Sequence, residues 1–280
     1  MNILTKIAEE NNLNLLESTP LSGGDINDVF LLKCASKKYV VKTNDASKFP
    51  GMFEAEAEGL DLLRSSNSFK IPSVVKFGVI ENTSYLLLEY ILEGSASHIF
   101  WQQFAENLAI LHKTTQPTFG LDHNNYIGSL PQYNGTQTSA ADFYINQRLE
   151  PQFKMAKEQG FDFSKLDVFY KNIFSEIPNE PPSLLHGDLW GGNYLVSEDG
   201  NPTLIDPAVS FASREMDLAM MQLFGGFSEE VFSHYHSIFP LKNNWKQRVS
   251  LWQLYYLLVH LNLFGSSYLS RVQNIAKKYR

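Results

Sequence analysis

The chain has 280 residues, enough for one large domain or two modest ones with an ample core. Hydrophobic residues make up 44% of it and charged residues 19%, as in ordinary globular proteins. The net charge of −7 argues against a general electrostatic grip on nucleic acid, so we expect no nucleic-acid partner. Cys34 is the only cysteine, which excludes an intramolecular disulfide and a cysteine-based zinc site. A lone cysteine also suits the reducing cytoplasm, where we expect the protein to act.

The sequence shows no pattern typical of export or membrane insertion. Residues 1–16 carry acids and amides without a long apolar core, unlike a signal peptide. The most apolar segment, residues 251–265, is too short to span a bilayer and contains three polar side chains. We interpret it as a buried helix and expect no membrane partner.

Strand-like and helix-like patterns fill the first ninety residues. The predicted elements are a helix over 3–10, strands over 29–34 and 38–43, a helix over 53–66, and strands over 73–80 and 84–91. In the second helix, Leu60 and Leu63 should face inward. This part of the chain predicts an antiparallel sheet with one inserted helix.

The pattern becomes mostly helical after residue 91. Helices are predicted over 98–115, 139–158 and 164–176, short strands on both sides of 186–193 and within 202–208, and helices thereafter. Residues 91–97 are the best candidate for a hinge. We therefore predict an α+β chain, with a mostly β N-lobe over residues 1–91 and a mostly helical C-lobe over residues 92–280.

An acid and an amide share one short turn, HGDLWGGN, in which Asp188 precedes Asn193 by five residues. The kinase catalytic loop uses this D-x-x-x-x-N spacing: the Asp accepts the proton of the attacking hydroxyl and the Asn ligates Mg²⁺. Thirteen residues later, LIDPA offers Asp206 as a second Mg²⁺ ligand. A lone His-Gly-Asp triplet predicts little, but the combination with two flanking strands predicts a phosphotransferase site with Asp188 as catalytic base.

A lysine and a glutamate upstream match the nucleotide-orienting pair of kinases. Lys42 lies on the strand YVVKT, in the position that reaches the α/β-phosphates of ATP. The following helix supplies Glu54, Glu56 and Glu58, one of which should pair with Lys42. Glu56 is chosen because it matches the motif, since spacing alone does not separate the three.

Two further features are candidate ATP contacts in the N-lobe. Gly23 and Gly24 precede the first strand pair, where a phosphate-covering loop belongs, although SGGDIND is not G-x-G-x-x-G and also fits an ordinary turn. Glu89 and Ile91 lie at the lobe junction, where their backbone groups could hydrogen-bond an adenine edge.

Four motifs together resemble the fructosamine kinase family, also called ketosamine-3-kinases. They are HGDLWGGN, IDPA, REMDLAMMQLFGGF and LWQLYYLLVHLNLFGSSYL. The similarity runs from about residue 21 to about residue 269, and the Trp in HGDLWGGN and the FGGF segment are its most specific marks. The resemblance implies a protein-kinase-like two-lobe fold, with a nucleotide-binding N-lobe and a C-lobe that carries the catalytic loop and substrate-binding helices.

The resemblance also implies a reaction and a set of roles. The reaction is ATP-dependent phosphorylation of the 3-hydroxyl of a ketosamine, either a small molecule or protein-bound. The resulting 3-phosphate decomposes and frees the amine, which is deglycation. Asp188 carries over as the base, Asn193 and Asp206 as Mg²⁺ ligands, and Lys42 with Glu56 as the phosphate-orienting pair.

Three more residues match family positions in the C-lobe. Trp190 and His260 carry over as walls of the sugar pocket, although a His in an apolar helix is often only a core residue. Asp217 matches a structural acid that braces the catalytic loop, and a surface helix acid is the alternative. His112 lies on a helix that supports this loop, and we assign it no chemistry.

Three alternatives are open. An aminoglycoside- or choline-type small-molecule kinase could use the same scaffold. A catalytically dead nucleotide-binding scaffold is disfavoured because the lysine, both aspartates and the asparagine are present. A protein kinase is disfavoured because no A-P-E-like segment or activation loop follows IDPA.

Overall fold

The computed structural model describes residues 2–21 and 26–280. The first elements in chain order are α1 (Ile3–Glu10), β1 (Leu15–Pro20), β2 (Asp28–Cys34), β3 (Lys38–Asp45), α2 (Met52–Ser65), β4 (Val74–Ile80) and β5 (Thr83–Glu89). The later ones are α3 (Phe100–Lys113), β6 (Asn125–Ile127), β7 (Leu130–Gln132), α4 (Ala140–Phe143), a π-helical segment (Tyr144–Leu149), α5 (Glu150–Glu158), α6 (Leu166–Glu176), β8 (Ser183–Leu185), β9 (Tyr194–Val196), β10 (Pro202–Leu204), β11 (Ser210–Ala212), α7 (Glu215–Leu223), α8 (Glu229–Ile238), α9 (Trp245–Phe264), a 3₁₀ turn (Ser266–Tyr268) and α10 (Leu269–Lys278).

These elements form two compact units. The first contains Met1–Phe100 and Gly192–Pro207, and the second contains Trp101–Gly191 and Ala208–Arg280. The sequence places the division after residue 91 and assigns everything beyond it to one lobe. The first unit gains the hairpin of β9 and β10 because backbone bonds join that hairpin to residues 92–94 and to Lys70.

The first unit is built on a five-stranded antiparallel sheet with the order β1-β2-β3-β5-β4. The four strands predicted over residues 29–91 are confirmed, and so are helices α1 and α2. β1 is not predicted, because its segment LLESTP is largely polar and ends in proline at the edge of the sheet.

Strand alternation gives this sheet a core face and a face that carries Lys42. Val41 is fully buried on the first face, in a cluster with Leu4 and Ile7 of α1 and Leu32 of β2. Because neighbouring strand residues point to opposite faces, Lys42 points away from that cluster. In α2, Leu60 and Leu63 are buried as predicted.

The second unit is helical around α9. That helix is buried on nearly all sides, which explains why residues 251–265 are so apolar. Across the part of the chain that the structure describes, no helix combines the length and apolar character needed to cross a bilayer. The predicted helices over 98–115 and 164–176 correspond to α3 and α6, and the predicted helix over 139–158 is interrupted by the π-helical segment.

A buried ion pair fixes α7 against α9. The Arg248 guanidinium donates to both carboxylate oxygens of Glu215, at 2.9 and 2.6 Å. The Trp252 indole N–H donates to the same carboxylate at 2.7 Å. Since α7 also carries Asp217, these contacts set the position of the acid that reaches the catalytic loop.

Candidate active site

Lys42 is the centre of a buried ionic cluster in the first unit. Its side chain is 6% exposed, and its Nζ lies 2.6 Å from Glu56 Oε1 and 2.7 Å from Asp206 Oδ1. Of the three glutamates on α2, Glu56 is the one that meets Lys42, while Glu54 faces solvent. The structure therefore brings together three of the site residues that were predicted from the sequence.

The charges in this cluster are strongly coupled. Burial by itself lowers the pKa of Lys42, but the charges of Asp206 and Glu56 outweigh it and the pKa rises above its ordinary value. Burial raises the pKa of Glu56, and the Lys42 ammonium opposes that shift. Lys42 therefore stays protonated at neutral pH. Two carboxyl groups share a single cation, which favours the binding of a further positive charge.

Asn193 and Asp206 lie at the two ends of the β9–β10 hairpin. Tyr194 pairs with Leu204 at the base of that hairpin, so the residues just outside it are neighbours. The Ile205 N–H donates to the Asn193 carbonyl at 3.1 Å, and Asn193 Nδ2 lies 3.4 Å from the Asp206 carbonyl. The twelve residues between Asn193 and Asp206 thus form one hairpin.

Asp206 holds an unusual backbone conformation. Its φ angle is +56°, in the left-handed region that side-chain-bearing residues seldom occupy. Such strain persists where surrounding contacts impose it, often at functional sites. Here the hairpin, the following proline and the Lys42 ion pair act on the same residue. The Asp206 side chain remains 42% exposed.

The donor set suits a hard divalent cation that keeps ligands from outside the protein. Over residues 2–21 and 26–280, no group of three or more His, Cys, Asp or Glu side chains is arranged to hold a metal on its own. Mg²⁺ rarely uses such an all-protein cage and binds through one or two side chains together with substrate phosphates. The amide of Asn193 and the carboxylate of Asp206 fit that requirement.

The remaining predicted nucleotide contacts are Gly23, Gly24, Glu89 and Ile91. Gly23 and Gly24 lie outside the described residues. Glu89 ends β5, and its N–H donates to the carbonyl of Ser73, the residue before β4, at 2.9 Å. The Ile91 side chain is buried.

In the second unit, Asp217 holds the backbone of the His-Gly-Asp turn. Its side chain is fully buried, and its two oxygens accept the N–H groups of His186 and Gly187 at 2.8 and 2.9 Å. Hydrogen bonds from backbone N–H groups to a carboxylate are charge-assisted and strong. The surface-acid alternative for Asp217 is therefore wrong.

Both the backbone conformation of residue 187 and the limited space around it require glycine at this position. Its φ angle is +84°, and a Cβ built on it would lie 1.9 Å from the carbonyl oxygen of Ala208. The Ala208 N–H donates to the His186 carbonyl at 2.9 Å, so the two backbone segments are in direct contact. Only glycine permits this approach.

His112 also supports the turn, as its place on a supporting helix suggested, but the contacts through which it does so were not predicted. Its Nε2 lies 3.3 Å from Asp217 Oδ2, and its Nδ1 lies 2.8 Å from the Tyr235 hydroxyl. Burial lowers the pKa of His112, so the ring is neutral. Nε2–H then donates to Asp217, and Nδ1 accepts from Tyr235. No local pattern could have indicated this, because the bonded residues are 105 and 123 positions from His112.

Asp188 follows directly on this braced backbone. It is half-buried, its N–H lies 3.3 Å from His186 Nδ1, and its carbonyl accepts the Trp190 N–H at 3.1 Å. Its negative charge also adds to the effect of burial in raising the pKa of Tyr255 on α9. The turn therefore presents a carboxylate on a backbone with little freedom to move.

The two predicted sugar-pocket residues differ in their surroundings. Trp190 is 39% exposed. His260 is half-buried in an aromatic cluster, with ring centroids 4.7 Å from Phe224 and 5.1 Å from Tyr268. Its Nδ1 donates to the Tyr256 carbonyl at 2.8 Å, and burial lowers its pKa.

The FGGF segment packs closely on the catalytic turn. A Cβ on Gly226 would lie 2.7 Å from the Cα of Gly191, which directly follows Trp190. The two sequence motifs that mark the family resemblance are thus in contact within one unit.

Solved structures define the class of protein to which this fold corresponds. A spectinomycin phosphotransferase in complex with ADP and spectinomycin matches 99% of this chain and 92% of its own, with a TM-score of 0.63 at 16% identity. At that identity the likeness concerns the fold alone, which is the kinase-like fold of aminoglycoside phosphotransferases. The predicted α+β, protein-kinase-like class is confirmed.

Closer similarities identify the family. The fructosamine kinase family model matches residues 2–280. A probable ketoamine kinase of Enterococcus faecium is 38% identical over 266 residues, covering 93% of this chain and 94% of the relative. A candidate fructosamine-3-kinase from Haemophilus somnus, solved as a crystal structure, has a TM-score of 0.89 at 30% identity and covers 98% of this chain and 95% of its own. The chain belongs to the fructosamine kinase family, as the sequence resemblance predicted.

Proposed function

We propose that this protein transfers the γ-phosphoryl group of ATP to the 3-hydroxyl of ketosamines of the ribulosamine or fructosamine type. Family membership and the names of the relatives support a sugar-amine kinase. The observation that carries the proposal is the buried Lys42, which is held by both Glu56 and Asp206. A lysine fixed in this way is prepared to bind phosphate oxygens, and the ADP complex of the spectinomycin enzyme supports an adenine nucleotide as donor.

In the proposed reaction, the first unit binds the triphosphate. Lys42 contacts the α/β-phosphates, and Glu56 keeps its ammonium in place. Asn193 and Asp206 would hold Mg²⁺, which, when bound, neutralises charge on the transferred phosphoryl group. The exposed part of the Asp206 carboxylate is available for that contact while its other oxygen stays on Lys42.

The second unit supplies the base. Asp188 accepts the proton of the 3-hydroxyl as its oxygen attacks phosphorus. Asp217 and His112 keep the backbone of the turn fixed, which limits the conformations that the Asp188 carboxylate can take. Trp190 offers an aromatic face for the sugar, and His260 is a second candidate wall. The ketosamine 3-phosphate then decomposes, and the amine is released without its sugar.

A substrate panel tests the proposal. ADP release is measured with ribulosamine-, erythrulosamine- and fructosamine-lysine, and with kanamycin and choline as acceptors of the alternative class. We expect turnover with at least one ketosamine and none with kanamycin or choline. Turnover confined to kanamycin or choline would assign the chain to the alternative class.

A matched pair of lysine variants links any turnover to the site. Lys42→Met should abolish ketosamine-dependent ADP release. Lys38→Met, at an exposed position on the same strand, should leave it unchanged. Equal rates for the two variants would remove the basis of the proposed nucleotide site.

A further inference from the structure

Arg148 is a buried cation, and within residues 2–21 and 26–280 all of its hydrogen-bond partners are uncharged. It is 1% exposed and lies in the π-helical segment of the second unit, a rare element that often marks functional sites. One nitrogen donates to the carbonyls of Tyr133 and Gln147, and another donates to Asn134 Oδ1 at 2.8 Å. The rings of Phe143 and Tyr255 lie beside the guanidinium. Burying a charge without a carboxylate partner costs free energy, so we expect Arg148 to have a specific role at this position.

The contact with Asn134 begins a chain of hydrogen-bonded carboxamide side chains. The orientation of each amide group is fixed by its partner in the chain. Arginine can only donate, so the Asn134 atom facing Arg148 must be oxygen. Asn134 Nδ2 then points to Asn125 Oδ1 at 2.9 Å. The Gln132 Nε2 donates to the same oxygen at 2.8 Å. These three amide side chains are all buried.

The chain ends on the backbone that follows the predicted metal ligand. Asn125 Nδ2 donates to the Val209 carbonyl at 2.9 Å. Gln132 Nε2 donates to the Ala208 carbonyl at 3.1 Å, and the Tyr255 hydroxyl donates to Gln132 Oε1 at 2.7 Å. The Ala208 carbonyl is the same atom that leaves no room for a side chain at Gly187.

We infer that Arg148 sets the direction of this buried hydrogen-bond chain, and that the chain positions the Ala208–Val209 backbone beneath the catalytic turn. Resting on the proposed function, this makes Arg148, Asn134 and Gln132 positioning residues for phosphoryl transfer. If any one amide reversed, two oxygens or two N–H groups would face each other without water to separate them. The Ala208 carbonyl would then shift, and with it the backbone on which Asp188 is carried.

Asn134→Asp separates this role from a purely structural one. The aspartate keeps the shape and gives Arg148 a carboxylate partner, so it should not destabilise the buried cation. It removes the donor to Asn125 Oδ1, however, and so breaks the direction of the chain. The new carboxylate oxygen also faces Asn125 Oδ1 and the His123 carbonyl, a cost that the charge pair with Arg148 partly offsets, so we expect a melting temperature lower by no more than about 6 °C. Measured on folded protein well below that temperature, KM for ATP should stay within twofold and kcat should be lower by about tenfold to a hundredfold.

Gln132→Glu is the second variant, and Gln152→Glu is its matched control. Both glutamines are 2% exposed, but Gln152 bonds to Asn262 and takes no part in the chain. The first should lower kcat and the second should not. Hydrogen exchange of the peptide over residues 184–190 gives a readout that needs no substrate, and it should accelerate in Asn134→Asp and Gln132→Glu only.

The inference fails if Asn134→Asp retains wild-type kcat and exchange, if its loss of activity only follows a loss of folded protein, or if Gln152→Glu has the same effect as Gln132→Glu. Where the wild type does not use ketosamines, kcat is measured with the acceptor it does use, and unchanged exchange in the variants still refutes the positioning role.

Discussion

Asp217→Asn should damage both the stability and the activity of the protein. Each carboxylate oxygen of Asp217 accepts a backbone N–H of the catalytic turn, and one of them also faces His112. Asparagine keeps the shape but replaces one acceptor with a donor, so a buried N–H of the turn is left facing an N–H group. A hydrogen bond to a charged group contributes about 1.5–3 kcal/mol, and an unsatisfied buried donor costs about 1–3 kcal/mol. We therefore expect the free energy of unfolding to fall by about 3 kcal/mol.

For a unit of this size, that loss lowers the melting temperature by about 6–12 °C. Differential scanning fluorimetry measures this shift, and steady-state kinetics on the folded fraction should show kcat lower by about a hundredfold because the turn is no longer fixed. Asp167→Asn, an exposed acid in the first turn of α6, is the control and should change neither value. Wild-type stability and kcat in Asp217→Asn would show that the carboxylate does not brace the turn.

Three further variants probe other parts of the site. Glu56→Gln should lower kcat/KM for ATP by at least about tenfold because Lys42 loses a charged partner, while Glu54→Gln, on the exposed side of the same helix, should not; similar values for both would contradict the pairing. Gly187→Ala should reduce the unfolding free energy by about 3 kcal/mol through overlap and strain, whereas Gly160→Ala, with φ +89° and open space around it, should lose only about 1 kcal/mol. The lowered pKa of His112 means that this residue takes up a proton more readily in the unfolded chain than in the folded protein. The part of the unfolding free energy that depends on neutral His112 is therefore complete above about pH 6.5 and falls as the pH drops below that value. In urea denaturation, this decline should be less steep in His112→Gln by up to about 1.4 kcal/mol per pH unit, and identical slopes would contradict the assignment.

Local pattern was sufficient for the parts of the fold that carry strong periodicity. The strands that contain Lys42 and Glu89 are runs of β-branched and apolar residues, and both strands were predicted. Their pairing with each other was not predicted. β6, β7 and β11 were not predicted, because three residues are too few to show a period. β8, β9 and β10 are equally short, but the HGDLWGGN and LIDPA motifs beside them marked their positions. The π-helical segment was also missed, since its wider turn still reads as a helix.

In the candidate site, too, local pattern predicted the short-range contacts and did not predict the long-range ones. Helical geometry places Glu56 on the face opposite Glu54 and Glu58, but it does not say which face meets the sheet, and the contact with Lys42 answers that. The hairpin that joins Asn193 to Asp206 was predictable because its two strands are close together along the chain. Local pattern did not indicate the supports of the turn, because they come from distant parts of the chain. The family resemblance suggested Asp217 as a brace and placed His112 on a supporting helix, and Gln132 was not predicted.

Asp188→Asn gives the most direct test of whether this carboxylate accepts the proton of a ketosamine 3-hydroxyl during transfer from ATP. The rate of phosphorylation and the position of the phosphate on the sugar are measured by ³¹P and ¹³C NMR, and ATP affinity is measured by calorimetry. We expect the wild type to place phosphate on the 3-oxygen, and the variant to bind ATP within twofold while turning over at least about a hundredfold more slowly. Phosphate on another oxygen, or near wild-type turnover in the variant, would contradict the proposed role of Asp188.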